Sequence, residues 1–565
     1  MVSHEFPATG YEVSIYSSTP LIFWISIVLN LVIGISIIIL FIEGKNRQDQ
    51  KFLILGLFLV ILSYIAILSL WIIRGYAFLD AGDPLDHISH IQEIFTTGQI
   101  DTFYPITHII AVQFSLIGNL PVMTIGKYLP LVITLCSLFF VYLFIREVLP
   151  EKGQQVIALV AGMMLLSTNS YLLFTPNRFA NLLIPMVIFL TFVCMRTKAF
   201  NWTFLLLISL LLFPVLHIVP TFFVILLLLG VVIIEIVSEA DILHFLTRSM
   251  PEINLLLLPL LFVCLWSLFW IYNDFHFTMI VTGLDRISTL YNYHPTRVLS
   301  EFFVRMIKGY SGTIVFLAFA ILSVPLIFRK RAIENQITKI TVLYIPILFI
   351  IGLVMISYFV NLYFNPFDRF QVFILILSTP CIGYVLYHFM RPRETSISKW
   401  IIPYKIMVII FLVSFTLFGV AKAYQSDFIY NNNDQISQNQ FSGMHWFIDE
   451  KEVTGLISGI SVTPGTFGEI FLSKAKLEPR HDLWSPRGLV KEGLVLPPHL
   501  GYDSHRSLRE ILPAYSYVVI QQMDKTLFTW GPVKNYVAED FSRMGRDPSL
   551  NGIYKNGGFD VYYLT

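Results

Sequence analysis

Long apolar runs separated by short polar stretches dominate the chain, a pattern typical of membrane-spanning helices. A helix needs about 20 apolar residues to cross the hydrocarbon core of a bilayer, and windows of about 19 residues identify about twelve such runs. They lie near 21–42, 52–73, 128–146, 155–174, 181–195, 201–217, 218–238, 254–273, 311–329, 340–360, 370–390 and 403–423. The run 105–120 is also apolar, but two prolines and His108 bracket it. We expect this run to be re-entrant or interfacial.

Basic residues alternate between the two sides of the predicted spans. Lys and Arg concentrate in every second connection, for example Lys45, Arg47 and Lys51 after the first run and Arg391 and Arg393 after the eleventh. Such loops are cytoplasmic by the positive-inside rule. Both termini and the long hydrophilic segments then lie on the outer side. We therefore expect an integral, multi-pass cell-membrane protein whose active site is extracytoplasmic.

The tail after Tyr424 changes composition and predicts a soluble domain. Helices are expected near 440–451 and 534–544, strands near 454–462 and 515–521, and a hairpin over 552–564. The hairpin prediction rests on the Asn556-Gly557 pair between alternating apolar residues. The predicted fold class is a polytopic α-helical membrane protein with about 12 transmembrane helices and a small extracytoplasmic C-terminal α/β domain. The predicted boundaries are 1–425 for the membrane module, with outer loops 74–127 and 274–310, and 426–565 for the soluble domain.

Composition agrees with this prediction and excludes several classes of protein. Hydrophobic residues make up 56% of the chain and charged residues 13%, about half the charge of a typical soluble domain. Mean hydropathy is +0.70. The net charge of +1 provides no field that would attract nucleic acid. The four cysteines all lie in apolar runs, so we expect buried thiols and no disulfide framework.

The loop after the second run carries closely spaced ionisable residues beside the membrane. Asp83 before Pro84 predicts an N-cap with proline at the first helical position. At 100° per residue, Asp86, His90 and Glu93 share one helix face. Ionisable residues this close to a bilayer are costly and usually functional. The sequence predicts an amphipathic helix on the membrane surface with a functional polar face, and an ordinary solvated face is the alternative.

With Tyr104-Pro105 and His108 downstream, this segment resembles the first outer loop of the GT-C superfamily. Members of that superfamily are integral membrane glycosyltransferases that use polyprenyl-phosphate or polyprenyl-diphosphate sugars. The similarity extends over roughly 50–425. Within the superfamily, the chain distantly resembles the catalytic subunits of oligosaccharyltransferases and protein mannosyltransferases. The loop follows the second span here rather than the first, so 21–42 is interpreted as an extra helix. The Trp-Trp-Asp acceptor motif of oligosaccharyltransferases is absent from the tail, which favours a monosaccharide transferase.

The resemblance implies transfer of a hexose or pentose from a dolichyl- or undecaprenyl-phosphate donor, with inversion. The acceptor would be a hydroxyl of a lipid-linked glycan, a surface glycan or a protein, in cell-envelope glycan biosynthesis or protein glycosylation. Asp83 is the first candidate for the base, by its place in the family pattern, and Asp86 is the second. A carboxylate partly desolvated at the membrane boundary suits this role because its pKa is raised. His90 and Glu93 would orient the base or the sugar.

The leaving lipid phosphate requires positive charge or hydrogen-bond donors. Arg369 opens the eleventh span, where many GT-C members keep an arginine, and a planar guanidinium suits phosphate. Arg178, His217, Tyr104 and His108 are further substrate-binding candidates. A boundary or structural role is the alternative for the arginines and His217.

Cofactor use and an alternative function complete the prediction. No cofactor is expected, although Asp83, Asp86 and His90 would suit Mg²⁺ or Mn²⁺ if the enzyme depends on a metal. The alternative function is a transporter or flippase, or a polymerase, of lipid-linked glycans. A transporter predicts charged residues in mid-span and an internal repeat, whereas these apolar runs carry little charge.

Overall fold

Helices make up most of the chain that the computed structural model describes. The described residues are 7–80, 82–100, 102–163, 172–238, 254–272, 299–329, 367–391, 401–426, 433–461, 464–472, 474–477, 479–484, 496–530 and 536–565. The first fifteen helices in this part are α1 (Ile15–Ser18), α2 (Leu21–Phe41), α3 (Arg47–Leu68), α4 (Leu70–Ile73), α5 (Asp83–Thr97), α6 (Pro105–Gly118), α7 (Val122–Val148), α8 (Lys152–Gly162), α9 (Pro176–Thr197), α10 (Phe200–Leu216), α11 (Ile218–Ser238), α12 (Asn254–Tyr272), α13 (Leu299–Arg329), α14 (Phe367–Met390) and α15 (Ile401–Lys422).

Six helices of the described part are long and apolar enough to cross a membrane. They cover Leu21–Phe41, Arg47–Leu68, Val122–Val148, Pro176–Thr197, Val372–Met390 and Pro403–Lys422. Each coincides with a predicted run, so an integral membrane protein is confirmed at this level. Helices α10 to α13 occupy four further runs, and α8 occupies the first part of the run 155–174. Residues 164–171 of that run and the whole of 340–360 lie outside the described residues. The count of twelve spans stays a prediction.

Helices α2 and α3 pack with unusually close backbones. A Cβ atom on Gly34 would lie 2.9 Å from the carbonyl oxygen of Gly56, and a Cβ atom on Gly56 would lie 2.8 Å from that of Gly34. Small residues permit such close approach between helices in lipid, where packing rather than water exclusion stabilises the pair. The two glycines therefore fix how α2 sits against α3.

Helix α5 begins one residue earlier than its sequence indicates. Gly82 is the N-cap, Asp83 is the first helical residue and Pro84 is the second, so the prediction of Asp83 as the N-cap is wrong by one position. The cause lies upstream, because the side chain of Asp80 accepts the backbone N–H of Gly82 at 2.8 Å and makes the turn that precedes the helix. Helix α6, with 14 residues, is shorter than the roughly 20 that a span requires.

The C-terminal part contains a four-stranded sheet. Its elements are α16 (Gln438–Glu450), β1 (Ile457–Gly459), α17 (Pro464–Phe471), α18 (Lys474–Leu477), β2 (Tyr517–Gln521), α19 (Gln522–Trp530), α20 (Ala538–Met544), β3 (Leu550–Lys555) and β4 (Phe559–Leu564), together with short 3-10 helices. The strand order is β1-β2-β4-β3, with β1 parallel to β2 and the other pairs antiparallel. The predicted closing hairpin and the helix near 440–451 are confirmed, whereas β1 is shorter than the predicted 454–462.

The C-terminal part packs directly on the loop that contains α5. Phe78 and Ile436 form an antiparallel bridge. Buried side chains of α5, α16, α17 and the sheet belong to one hydrophobic cluster, which includes Ile88, Ile91 and Phe467. Asn433 is fully buried and donates its amide to the backbone oxygen of Glu12 at 2.6 Å. This packing holds α17 against the polar residues of α5.

Candidate active site

Three histidines cluster at the junction of α5 and α6. The ring centroids of His87 and His108 are 5.2 Å apart, those of His90 and His108 5.6 Å, and those of His87 and His90 6.3 Å. His87 and His90 are one helical turn apart on α5, which directs both rings to the same side. His108 is in the first turn of α6 and is fully buried. The predicted candidates His90 and His108 are therefore neighbours.

The hydrogen bonds of this cluster define which nitrogens carry protons. His108 Nδ1 lies 2.9 Å from the backbone oxygen of Tyr104, which can only accept, so Nδ1 is the donor. In the neutral ring Nε2 is then an acceptor, and it receives a hydrogen bond from His87 Nδ1 at 3.2 Å. His87 Nε2 faces the Asp83 carboxylate at 3.8 Å. The result is a chain of polar groups from Asp83 through His87 to His108.

Burial keeps the inner part of this chain uncharged. It lowers the pKa of His108 to about 3, with smaller contributions from His87 and His90. Burial also lowers the pKa of His87, while the nearby charges of Asp83 and Asp86 raise it and His90 lowers it. His108 is therefore neutral near pH 7, and a proton added to the chain is stabilised best on His87, beside the carboxylates.

The carboxylates of α5 lie in two different environments. Asp83, the first residue of α5, has a 74% exposed side chain, so the expectation of a partly desolvated carboxylate is not met at this position. Asp86 is half-buried and lies in hydrogen-bonding contact with Glu469 of α17. The pKa of Glu469 is raised to about 8, mainly by burial, and to a smaller extent by the hydrogen bond and charge of Asp86 and by the charge of Glu93. Asp86, Glu93 and Glu469 thus form an acidic group across the contact between α5 and α17.

Aromatic rings border the histidine cluster on the side of α10 and α12. The ring of Tyr104 stacks on His217, with centroids 4.4 Å apart. Phe103 lies 4.5 Å from Tyr104 and 5.9 Å from Trp270. The predicted candidates Tyr104 and His217 are therefore in contact, although they are far apart in the chain. Together with Phe103 and Trp270 they form an aromatic surface, the class of surface on which sugar rings commonly stack.

The two arginines predicted for phosphate binding are less completely described. Arg178 is half-buried in the first turn of α9, in a segment whose Phe174 ring is 6.2 Å from that of His108. Asn181, less than one turn further on, is 2% exposed, and neither of its amide atoms has a hydrogen-bond partner among the described residues. Arg369 is in the first turn of α14, and its side chain lies outside the described residues.

The proposed metal ligands Asp83, Asp86 and His90 do not converge. Within the described ranges, no group of three His, Cys, Asp or Glu side chains is arranged to hold a metal ion. The donor chemistry would suit a divalent cation, but the geometry of the described side chains does not provide the site.

Two residues of the site were not among those predicted from the sequence. His87 lies four residues after Asp83 and three before His90, so helical spacing alone could have identified it. Glu469 is more than 370 residues from Asp86 in the chain, within Gly468-Glu469-Ile470, and no motif marks it. Only the packing of α17 on α5 brings it to the site.

Comparison with known proteins gives distant structural matches only. No protein-family model and no curated protein matches the chain. The oligosaccharyltransferase of Archaeoglobus fulgidus with Zn and sulfate matches at 12% identity and a TM-score of 0.46, covering 89% of this chain and 73% of that one. The same organism's AglB with an inhibitory peptide and dolichol-phosphate matches at 11% identity and a TM-score of 0.47, covering 90% and 74%.

A second kind of structure also matches. ArnT from Cupriavidus metallidurans bound to undecaprenyl phosphate has 10% identity and a TM-score of 0.43, covering 90% of this chain and 97% of that one. AglB and ArnT are both glycosyltransferases of the superfamily that the first outer loop resembles. These identities and TM-scores are too low to carry a fold or an activity over to this chain, and the function is therefore inferred from the residues of the site.

Proposed function

We propose that this protein is an integral membrane glycosyltransferase that transfers a sugar from a polyprenyl-phosphate donor to an acceptor hydroxyl. The observation that carries the proposal is the polar face of α5, where Asp83 and Asp86 lie beside His87, His90 and the buried His108. A general base next to a polar, partly desolvated cluster at the end of apolar helices is the arrangement that this chemistry requires.

The reaction needs one proton acceptor and one site for the departing phosphate. The acceptor oxygen attacks C1 of the sugar and its proton passes to a carboxylate of α5, while the bond between C1 and the lipid phosphate oxygen breaks. Attack from the face opposite the phosphate inverts the configuration at C1. Asp83 is accessible to an acceptor because its side chain is 74% exposed, and His87 at 3.8 Å can receive the proton from it.

The leaving phosphate carries negative charge and requires donors. Arg178 is the candidate supported by its surroundings, since the buried amide of Asn181 on the same helix, which has no partner among the described residues, provides a further donor or acceptor for a ligand. A buried amide without a partner is costly. Arg369, in the first turn of α14, is the second candidate. The aromatic surface of Tyr104, His217 and Trp270 would hold the sugar.

The proposal includes the membrane topology and the domain division predicted from the sequence. Twelve spans, outer termini and an extracytoplasmic active site follow from the alternation of basic loops. The membrane module would cover 1–425 and the soluble outer domain 426–565. A glycan or a protein would be the acceptor, and the C-terminal part lies next to α5, where an acceptor would enter.

The test is sugar transfer by the purified protein in lipid bilayers. Dolichyl- and undecaprenyl-phosphate sugars would be supplied as donors, because the matched AglB and ArnT structures hold those lipid phosphates. Wild type is compared with Asp83→Asn and Asp86→Asn, each with and without EDTA. Asp503→Asn is the matched control, since its side chain is 73% exposed, against 74% for Asp83, and it lies in the C-terminal part.

We expect loss of about 10²–10⁴-fold in transfer when the base is replaced, with the control unchanged. The Asn variant that loses activity identifies the base, and the EDTA lanes decide whether a divalent cation takes part. If both variants transfer sugar as wild type does, or if no donor is consumed, the glycosyltransferase proposal is wrong. Movement of lipid-linked glycan across the bilayer, without transfer, would favour the transporter alternative.

A further inference from the structure

A narrow cleft lies between α3 and α7, two of the helices that are long and apolar enough to cross a membrane. Its volume is about 260 Å³. The walls come from three helices and include Ile61, Tyr64 and Leu68 of α3, Thr134 and Leu138 of α7, and Met163 at the end of α8. An apolar cleft of this kind does not hold water, so in a bilayer we expect a hydrocarbon chain to fill it.

A lysine and a tryptophan lie beyond one end of the cleft. Lys127 is in the second turn of α7, seven residues before Thr134, which is two helical turns or roughly 10 Å along the axis. Trp71 is in α4, three residues after Leu68. The ammonium group of Lys127 is 5.3 Å from the centre of the Trp71 ring. The two side chains therefore meet at the same end of the cleft.

The positive charge at this end has no carboxylate partner among the described residues. Lys127 is half-buried and donates to the backbone oxygen of Tyr76 at 2.5 Å. The carboxylate of Glu12 is already engaged by Arg74 and by the hydroxyl of Tyr76. The indole N–H of Trp71, which is 2% exposed, has no acceptor in the described part of the chain. A partly buried cation beside a buried donor without a partner favours the binding of an anion.

We infer that this cleft binds an anionic phospholipid, with its phosphate group at Lys127 and Trp71 and one acyl chain between α3 and α7. The apolar cleft requires a hydrocarbon chain and the lysine requires a negative charge, and such a lipid supplies both in one molecule. The bound lipid supports the loop before α5, because Tyr76 of that loop accepts from Lys127. The inference is independent of the proposed function and needs no measurement of sugar transfer.

A polyprenyl phosphate also joins a negative charge to a hydrocarbon chain, but the packing of α7 on α5 favours the phospholipid. A Cβ atom on Gly126, the neighbour of Lys127, would lie 2.9 Å from Cγ1 of the fully buried Ile88. Ile88 lies about 160° around α5 from Asp86 and His90. The beginning of α7 is thus on the face of α5 opposite these polar residues. A donor must present its sugar to the polar face, whereas a structural phospholipid need not.

The experiment measures the binding of defined lipids to the full-length protein in detergent micelles. Phosphatidylglycerol and phosphatidylcholine with the same acyl chains are titrated separately, and undecaprenyl phosphate is the third lipid. Native mass spectrometry counts the lipids that stay bound, and the rise in melting temperature with lipid concentration gives the apparent affinity. The variants are Lys127→Gln, which removes the charge, Lys127→Arg, which keeps it, and Leu135→Trp, which fills the cleft.

Lys422→Gln is the matched control for the loss of one positive charge. Lys422 is also half-buried and lies 5.7 Å from the centre of an aromatic ring, that of Phe418. It is at the same end of the helices, because Tyr424, two residues later, donates to the backbone oxygen of Ile67 at 2.6 Å. Helix α15, which contains Lys422, does not line the cleft.

Wild type should retain one phosphatidylglycerol and bind it about fivefold more tightly than phosphatidylcholine, as expected for one lysine beside an anionic lipid. Lys127→Gln should remove this preference, Lys127→Arg and Lys422→Gln should keep it, and Leu135→Trp should lose the retained lipid. The inference is overturned if wild type does not distinguish the two phospholipids or if Leu135→Trp retains the lipid. It is also overturned if Lys422→Gln removes the preference as Lys127→Gln does, which would indicate general charge attraction, or if undecaprenyl phosphate displaces phosphatidylglycerol at equal concentration.

Discussion

His108 is buried as a neutral ring, and this makes the fold sensitive to acid. Its pKa is lowered from 6.5 to about 3, mainly by burial. Below pH 6.5 the unfolded chain binds a proton at this position and the folded chain does not. The contribution of neutral His108 to the free energy of unfolding is therefore fully present above pH 6.5. As the pH falls towards 3 this contribution is lost, by up to about 1.4 kcal/mol per pH unit.

Replacing His108 with Asn should flatten this dependence. The Asn amide can still donate to the Tyr104 carbonyl but cannot be protonated, so the melting temperature should fall less between pH 6.5 and 4 than in wild type. His445→Asn is the control, because that histidine has a 54% exposed side chain. A wild-type pH slope in His108→Asn would show that other groups cause the acid sensitivity.

Individual site residues were predictable from the sequence only where they share one short segment. Asp83, Asp86, His90 and Glu93 lie within eleven residues of chain, and helical geometry alone groups them. His87 belongs to the same segment, and its spacing of four residues from Asp83 and three from His90 would have grouped it with them. Glu469 and the contact of Tyr104 with His217 depend on tertiary packing, which no spacing rule provides.

At the scale of elements, the length of an apolar run predicts the presence of a helix well, but the sequence predicts poorly where that helix begins and ends. The run predicted at 21–42 became α2 (Leu21–Phe41) because no charged residue and no proline interrupts it. The run predicted at 52–73 is instead divided at Ser69 into α3 and α4, where the serine hydroxyl donates to the Ile65 carbonyl at 2.5 Å. Such local side-chain bonds compete with helix continuation, and hydropathy does not detect them.

The contact between α2 and α3 should tolerate no added carbon. In Gly34→Ala the new methyl would lie 2.9 Å from both the Gly56 oxygen and a Val60 methyl. We expect a loss of about 1–3 kcal/mol in the free energy of unfolding, measured as a lower melting temperature in lipid or detergent. Gly312→Ala is the matched helical control, since a Cβ atom added there would have no described atom within 4 Å. Equal melting temperatures for the two variants would contradict the close packing.

At the scale of the whole molecule, two groups of charged contacts within the described residues lie at opposite ends of helices α2 and α3. One joins the ends of helices at the basic loops, where Arg391 pairs with Glu151 at 2.9 Å and Lys405 with Glu43 at 3.1 Å. The other ties the N-terminal segment to the loop before α5, where buried Arg74 pairs with Glu12. The basic residues of the first group were predicted from the sequence as a loop pattern, but their acidic partners were not, and the second group depends on how the N-terminal segment packs.

This separation leads to a prediction about sidedness. If the basic loops are cytoplasmic, a cysteine placed in the C-terminal part should react with a membrane-impermeant maleimide in intact cells, and one placed beside the basic loops should not. Ser504→Cys and Lys152→Cys suit the test, because both positions are exposed. Labelling at Lys152→Cys is then expected only after permeabilisation.

The native cysteines provide the background for this measurement. Cys194 and Cys381 are buried, but Cys264 is half-buried and Cys136 is exposed, so the expectation of four buried thiols is wrong for those two. All four lie in apolar helices, so wild type should still react little with a charged reagent. If Lys152→Cys but not Ser504→Cys is labelled in intact cells, the predicted topology is reversed. Helix α5, with Asp83 and Asp86, would then lie on the cytoplasmic side, because the bridge between Phe78 and Ile436 joins the loop before α5 to the C-terminal part. The donor would then have to be a lipid-linked sugar exposed on the cytoplasmic leaflet.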